Sequence, residues 1–244
     1  MPASVQPYEI LGENKNNGII VVCDHASNVV PTEVGGGSLG LPPSEMRRHI
    51  AYDIGAAGVA AGLSRILGAS AIFSRFSRLV IDANRDEADP TLIMKISDGT
   101  IVPANRNISN SERELRLELL HRPYHRELER LASETEDPVF VSVHSFAPQL
   151  KGFRKRPWHI GVLFGHDERI AKPLIQLIRS EMGICVGVNQ PYSGQLPGDT
   201  LSRHAAAKNR RHVLLEIRSD QIAAEDGQRK WAELLAPMIR IAAN

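Results

Sequence analysis

The chain has 244 residues, of which 42% are hydrophobic and 23% are charged, so it is long and apolar enough to bury a substantial core. This composition excludes a disordered or collagen-like chain. The 29 lysines and arginines nearly balance the 28 aspartates and glutamates, so no global field attracts nucleic acid or a membrane surface. We therefore expect neither as a partner.

Two cysteines, Cys23 and Cys185, are too few for a disulfide framework. No apolar run approaches the roughly 18 residues that span a bilayer. The chain also opens without the basic and then apolar pattern of a secretory leader. These features predict a cytoplasmic protein whose thiols stay reduced.

Strands and helices are predicted to alternate along the chain. Apolar or β-branched runs predict strands at residues 18–23, 71–81, 138–144, 159–164, 184–188 and 212–218. Helical periodicity predicts helices at residues 51–67, 111–133, 170–182, 200–208 and 225–242, with Gly68 ending the first and Pro123 interrupting the second. Residues 87–110 are predicted to form a long loop. This order predicts one α/β domain over residues 1–244, with helices on both faces of a mostly parallel mixed sheet.

Polar residues follow several predicted strands, at the edge of an α/β sheet where ligands usually bind. His25 and His144 close two apolar runs, and Glu216 lies near the end of a third. Two imidazoles and an oxygen ligand leave an open position on a zinc ion, which lowers the pKa of a bound water to about 7. Glu216 is then a candidate base for that water. The alternative is that the histidines are ordinary hydrogen-bonded residues and that Glu216 pairs with a neighbouring arginine.

A second polar group follows the strand predicted at residues 71–81. Arg78, Asn84 and Arg85 offer planar or charged donors that can hold a carboxylate or stabilise an oxyanion. The alternative is a solvated strand end whose arginines pair with acidic residues. The residues alone leave both interpretations open.

Six stretches in order along the chain carry a resemblance to a known family. They are residues 22–28, 49–56, 77–85, 143–146, 200–204 and 212–218, which read VCDHASN, HIAYDIGA, SRLVIDANR, VHSF, TLSRH and HVLLEIR. Together they resemble the N-formylglutamate amidohydrolase family over most of the chain. The resemblance implies a three-layer α/β/α sandwich of the phosphorylase/hydrolase-like kind, similar to the zinc carboxypeptidases and aspartoacylases. It also implies amide hydrolysis by a metal-activated water.

The resemblance implies a role for each matching residue. His25 and His144 match metal-binding histidines, and the implied cofactor is one zinc ion per chain or another divalent metal. Glu216 falls at the position of the general base. Arg78 resembles the arginine that polarises the scissile carbonyl. The pair Asn84-Arg85 resembles the pair that holds a substrate carboxylate, so the implied partner is a small N-formyl or N-acyl derivative of an acidic amino acid.

The third metal ligand departs from the wider carboxypeptidase pattern. That pattern has a glutamate three residues after the first histidine, where this chain has Asn28, and a neutral amide is a poor zinc ligand. We expect Asp53 to replace it, with a helix-capping role or support of a ligating histidine as alternatives. His204 and Tyr192 are candidates for substrate contact, with an ordinary helix histidine and an ordinary turn residue as alternatives.

Other functions compete with this hypothesis. Cys23 lies two residues before His25, on the same face of an extended strand, and is a candidate thiolate nucleophile. Loss of the metal through Asn28 would leave a non-catalytic protein of the same fold that binds carboxylates or amino acids. A basic loop near Lys151, Arg154, Lys155 and Arg156 can attract a dianionic substrate or be merely solvated surface.

Overall fold

A computed structural model of the protein describes residues 6–12, 18–150 and 152–244. Its strands are β1 (Tyr8–Leu11), β2 (Ile19–Cys23), β3 (Ser70–Ser74), β4 (Ile96–Ser97), β5 (Thr100–Ile101), β6 (Val139–Phe146), β7 (Ile160–Leu163), β8 (Val186–Val188) and β9 (His212–Arg218). Its α-helices are α1 (Pro43–Met46), α2 (Ala56–Leu67), α3 (Asn110–Arg116), α4 (Arg122–Ser133), α5 (Ala171–Arg179), α6 (Thr200–His204) and α7 (Glu225–Ala243).

Within the described residues, seven strands form one mixed sheet in the order β1-β3-β2-β6-β9-β7-β8. The four neighbours β3, β2, β6 and β9 run parallel, whereas β1 and β7 are antiparallel to β3 and β9. Strand β8 is parallel to β7. The predicted mostly parallel mixed sheet is confirmed, and the carboxyl ends of β2, β6 and β9 meet at one edge.

The central strands are buried on both faces, as the strand β2 illustrates. Ile19, Val21 and Cys23 join a core with α2, α5 and α7, whereas Ile20 and Val22 join a second core with α4. This alternation explains why the strand reads as a continuous apolar run. The expected α/β/α layering is therefore confirmed. No helix in the described part of the chain has the length and apolar content of a membrane span.

The strand predicted at residues 71–81 is wrong in its second half, because β3 ends at Ser74. Beyond it, the Ser77 N–H donates to the Val29 carbonyl at 2.8 Å and the Arg78 N–H donates to the Ala51 carbonyl at 3.2 Å. The segment is buried against loops instead of a neighbouring strand. Burial alone therefore explains its apolar character.

Other boundaries also differ from the predictions. Strand β1 was not predicted, and the loop at residues 87–110 contains the hairpin β4–β5 and a 3₁₀ turn at Pro103–Asn105. Pro123 does not end its helix, because a π-helical turn at Leu117–His121 joins α3 to α4 and places the proline in the first turn of α4. The predicted helix at residues 51–67 begins only at Ala56 and ends as expected at Gly68.

Candidate metal and catalytic site

Three buried side chains converge at the carboxyl edge of the sheet. His25 follows β2, His144 lies near the end of β6, and Asp53 precedes α2; each is 2% exposed. Asp53 Oδ2 lies 3.3 Å from His25 Nδ1 and 2.8 Å from His144 Nδ1. One ligand atom from each residue lies within 4.8 Å of the others, so the group can hold a metal ion.

Local backbone contacts bring Asp53 to the two histidines. Its N–H donates to the His25 carbonyl at 2.9 Å, and the Ser145 N–H donates to its Oδ2 at 3.2 Å. The turn into α2 then passes through Gly55 with φ +79°, where a Cβ atom would lie 2.0 Å from the Ile222 carbonyl oxygen. Only glycine fits this turn without displacing Ile222.

The far side of each histidine ring faces another buried carboxylate. His25 Nε2 lies 2.6 Å from Asp82 Oδ1, and His144 Nε2 lies 3.4 Å from Asp24 Oδ2. Burial lowers the pKa of His144, but Asp24 and Asp53 outweigh it and raise that pKa well above its ordinary value. Carboxylates in this position fix the orientation and tautomer of metal-ligating histidines.

Glu216 lies beside this group, because β9 pairs with β6 in a register that places Glu216 opposite His144. It is buried, and its Oε2 has no hydrogen-bond partner among the described groups. Burial raises the pKa of Glu216 to about 7. A carboxyl group with that pKa exchanges a proton readily at neutral pH, as a general base requires.

Arg78 connects the carboxylates of the site. Its Nη2 donates to Asp82 Oδ2 at 2.9 Å, its Nη1 lies 3.5 Å from Asp53 Oδ1, and 18% of its side chain is exposed. Burial disfavours the Asp82 carboxylate, but Arg78 and His25 hold its pKa far below the ordinary range. Arg78 is thus a fixed cation at the rim of the buried group.

Asn84 and Arg85 follow directly on this segment. Asn84 is buried, and its Oδ1 accepts a hydrogen bond from the Thr200 N–H at 2.9 Å, so its amide NH₂ points the other way. Arg85 is half-buried, and its charge helps to lower the pKa of Asp82. The predicted carboxylate-binding pair is therefore close to the metal-binding group.

Tyr192 lies at the exposed rim, with 38% of its surface accessible. Arg156 Nη1 donates to its hydroxyl at 3.3 Å, and the guanidinium lies 5.2 Å from the Tyr192 ring centre and 5.5 Å from that of Phe146. Burial raises the pKa of Tyr192, and the charge of Glu216 raises it further, so the ring is near the candidate base. Lys151 of the basic loop lies outside the described residues.

His204 does not face this rim. It is buried, its Nε2 lies 2.9 Å from His125 Nδ1, and its Nδ1 lies 3.0 Å from Glu129 Oε2. Both ring nitrogens are therefore occupied by protein groups. The structure places His204 behind the segment that carries Asn84.

Two competing hypotheses find no support in the site. The Cys23 thiol is buried in the core, and burial together with Asp53 and Asp24 raises its pKa well above the ordinary value, which disfavours a thiolate nucleophile. The other hypothesis, a non-catalytic binding protein, supposed that Asn28 leaves the site without a metal ligand. The Asn28 Nδ2 donates to the Met46 carbonyl at 2.9 Å.

Neither Asp24 nor Asp82 was predicted to be a functional residue. Asp24 directly precedes His25, and Asp82 lies two residues before Asn84, so both belong to the stretches that carried the family resemblance. The available signal was that each carboxylate lies within two residues of a candidate site residue, Asp24 beside His25 and Asp82 near Asn84. It did not show which histidine each carboxylate contacts.

The model of the N-formylglutamate amidohydrolase family matches residues 17–223. The protein belongs to this family. Among its relatives, the N-formylglutamate deformylase of Pseudomonas putida is 28% identical over an alignment of length 198 that covers 71% of this chain and 71% of the relative. The crystal structure of a gene product from Agrobacterium tumefaciens superposes with a TM-score of 0.90 at 31% identity, covering 98% of this chain and 95% of the other. The N-formylglutamate amidohydrolase of Ralstonia eutropha shares the fold, with a TM-score of 0.78 at 21% identity and 98% coverage of both chains.

Proposed function

We propose that this protein is a zinc-dependent amidohydrolase that releases formate from N-formylglutamate or a closely related N-acyl acidic amino acid. The observation that carries the proposal is the buried group of His25, Asp53 and His144, with Glu216 beside it, whose Oε2 has no hydrogen-bond partner among the described residues. Membership of the N-formylglutamate amidohydrolase family supports the reaction class. The name of the Pseudomonas putida relative supports the substrate.

The donor set fits a catalytic zinc ion, which typically takes three protein ligands from histidine and carboxylate side chains. Buried carboxylates are concentrated here: Asp53 within the group and Asp24, Asp82 and Glu216 around it are each no more than 7% exposed. With the two histidines neutral, as metal ligation requires, these carboxylates outnumber the one fixed cation that the described residues place among them, Arg78, and this excess of buried negative charge favours a bound cation. A zinc ion held by these ligands would supply Lewis acidity and a water of lowered pKa.

We assign proton transfer to Glu216. Its Oε2 would take a proton from the attacking water and return one to the nitrogen of the leaving amino acid. The raised pKa, about 7, lets the same carboxyl group act first as base and then as acid. Arg78, 18% of whose side chain is exposed, would stabilise the negative charge that develops on the acyl oxygen.

Substrate carboxylates have two sets of donors. Asn84 and Arg85 would hold one carboxylate, since the Asn84 amide already turns its oxygen towards Thr200. Arg156, held between the rings of Phe146 and Tyr192, would bind the other. This arrangement favours an acidic amino acid as the leaving group.

The alternative of a non-catalytic carboxylate-binding protein assumed that Asn28 leaves the site one ligand short. Asp53 offers the third ligand, so that assumption is not needed. No other observation favours the alternative.

The proposal is tested by measuring formate release from N-formyl-L-glutamate, with the zinc content of each sample determined by elemental mass spectrometry. The wild-type protein should contain about one zinc ion per chain and turn over the substrate. Glu216→Gln should keep the zinc and lose about 100- to 10,000-fold in turnover. Full activity in this variant would remove Glu216 as the base, and a wild-type protein that neither binds zinc nor releases formate would refute the proposal.

Substrate choice is tested with Arg156→Ala, using the exposed Arg154→Ala as control. The first variant should raise the KM for N-formyl-L-glutamate about tenfold or more, and should leave hydrolysis of N-formyl-L-methionine unchanged. Equal effects of both variants would indicate only a loss of general surface charge.

A further inference from the structure

A line of hydrogen bonds, part-buried at its first contact and buried beyond it, runs behind the Asn84 segment. It begins at Glu129 on α4, whose Oε2 lies 3.0 Å from His204 Nδ1. His204 Nε2 lies 2.9 Å from His125 Nδ1, and His125 Nε2 lies 3.0 Å from the Ala83 carbonyl oxygen. Ala83 directly precedes Asn84, so the line ends at the backbone of the proposed carboxylate-binding pair.

The two rings meet edge to edge. Their planes differ by 14°, and their centres are 5.1 Å apart. At this separation, two rings that lie nearly in one plane bring a nitrogen of one ring to 2.9 Å from a nitrogen of the other, as observed for His125 Nδ1 and His204 Nε2. A stacked pair would not place two nitrogens in line. The contact between His125 and His204 is therefore a hydrogen bond that needs one proton between the nitrogens.

Two neutral imidazoles carry too few N–H protons to make all three hydrogen bonds of this line. The Ala83 carbonyl only accepts, so His125 Nε2 must carry a proton. An ionised Glu129 also only accepts, so His204 Nδ1 must carry one. The central contact needs a third, whereas two neutral rings hold only two. Without it, two lone pairs would face each other at 2.9 Å in a buried setting.

Neighbouring charges keep Glu129 ionised and therefore unable to donate. Burial raises its pKa, but hydrogen bonds from Lys208 and His204 and the charge of Arg210 outweigh burial and lower that pKa to about 2. Lys208 Nζ lies 2.5 Å from Glu129 Oε1, and Arg210 Nη2 lies 3.4 Å from the same atom. The missing proton must therefore reside on the histidines.

Other charges act on the histidine pair from several elements. Burial and the exposed Arg203 lower the pKa of both rings, and His121 adds to this effect at His125, whose pKa falls well below its ordinary value; at His204, Glu129 and Asp24 oppose the shift. The three hydrogen bonds favour the protonated pair, because removing the third proton leaves the central contact unmade.

We propose that His125 and His204 together hold three imidazole protons at neutral pH and act as a cationic pair that positions the Ala83–Arg85 turn. His121, one helical turn before His125, supports the same turn, since its Nε2 lies 2.9 Å from the Arg85 carbonyl. His121 and His125 thus donate to the carbonyls of Arg85 and Ala83, the residues on either side of Asn84. The proton count depends on the three hydrogen bonds and on an ionised Glu129; the importance of the turn for substrate rests on the proposed function.

The proton count is tested by ¹⁵N-detected NMR of the four imidazole nitrogens in the full-length protein at pH 7.5. The wild type should show three N–H groups, with one ring doubly protonated. Glu129→Gln is the matched variant, because its side-chain amide can donate to His204 Nδ1 and complete the line with two neutral rings. It should show two N–H groups on the pair. Two imidazole N–H groups on the pair in the wild type, or three in Glu129→Gln, would overturn the proposal.

The positioning role is tested by kinetics with N-formyl-L-glutamate. His204→Ala should raise KM about tenfold with a smaller change in kcat, and Glu129→Gln should stay close to the wild type because the line remains complete. An unchanged KM in His204→Ala would remove the positioning role while leaving the proton count standing. A wild-type protein without turnover would instead refute the proposed function and leave the NMR result to decide the protonation.

Discussion

Replacing Asp82 with asparagine tests how the proposed metal ligands are held. The His25 ring contacts Asp82 Oδ1 at 2.6 Å, and both side chains are no more than 2% exposed. Asp82→Asn keeps the shape and an acceptor atom of the side chain but removes the charge that would make the His25 ring a better metal ligand. Loss of such a supporting carboxylate typically weakens metal binding about 10- to 100-fold, or about 1.4 to 2.7 kcal/mol.

Competition with a chromophoric zinc chelator measures this change, and circular dichroism checks that the variant remains folded. Asp24→Asn is the matched control on the other histidine. Its effect should be smaller, because Asp24 Oδ2 lies 3.4 Å from His144 Nε2. An unchanged zinc affinity in Asp82→Asn, or a larger loss in Asp24→Asn, would refute the reasoning.

Two further substitutions test the packing around the site. In Gly161→Ala the new Cβ would lie 2.0 Å from the Gln190 carbonyl oxygen, so urea denaturation should show a loss of about 1–3 kcal/mol. Gly165→Ala, whose nearest neighbour is 3.6 Å away, should stay within about 0.5 kcal/mol, and equal losses would contradict the packing argument. Tyr124→Phe removes a buried hydrogen bond of 2.9 Å to the Asp24 carboxylate and should cost about 1.5–3 kcal/mol in the same assay, which a loss below about 0.5 kcal/mol would contradict.

The site residues at the strand ends were predictable from the sequence, because the topology of a parallel sheet determines where its strand ends lie. His25, His144 and Glu216 lie at or near the ends of apolar runs, and parallel strands bring their carboxyl ends to one edge. The structure places β2, β6 and β9 side by side, which brings the three residues together. The convergence of these three residues could therefore be predicted without predicting any individual long-range contact.

Partners supplied by loops were harder to predict. Asp53 is 28 positions from His25, and the backbone hydrogen bond between them forms only when the intervening loop folds back. Its place was expected from the family resemblance instead of from spacing. Asp82 was obscured because its segment reads as a strand, although it is a buried loop.

The supporting layer behind the site was missed for a different reason. His121 and His125 are four positions apart, the spacing of one helical face, and this was a readable signal. Their partners are backbone carbonyls of a distant turn, which have no side-chain signature in a sequence. Only the fold shows that these histidines support Asn84.

Zinc reconstitution of metal-stripped protein tests the central claim most directly. Formate release from N-formyl-L-glutamate should be absent after stripping, rise linearly with added zinc and level off at about one equivalent per chain. His25→Ala and His144→Ala should stay inactive over the same titration. Full activity in the stripped protein, or no activity at any zinc concentration, would contradict a hydrolase whose chemistry depends on the group of His25, Asp53 and His144.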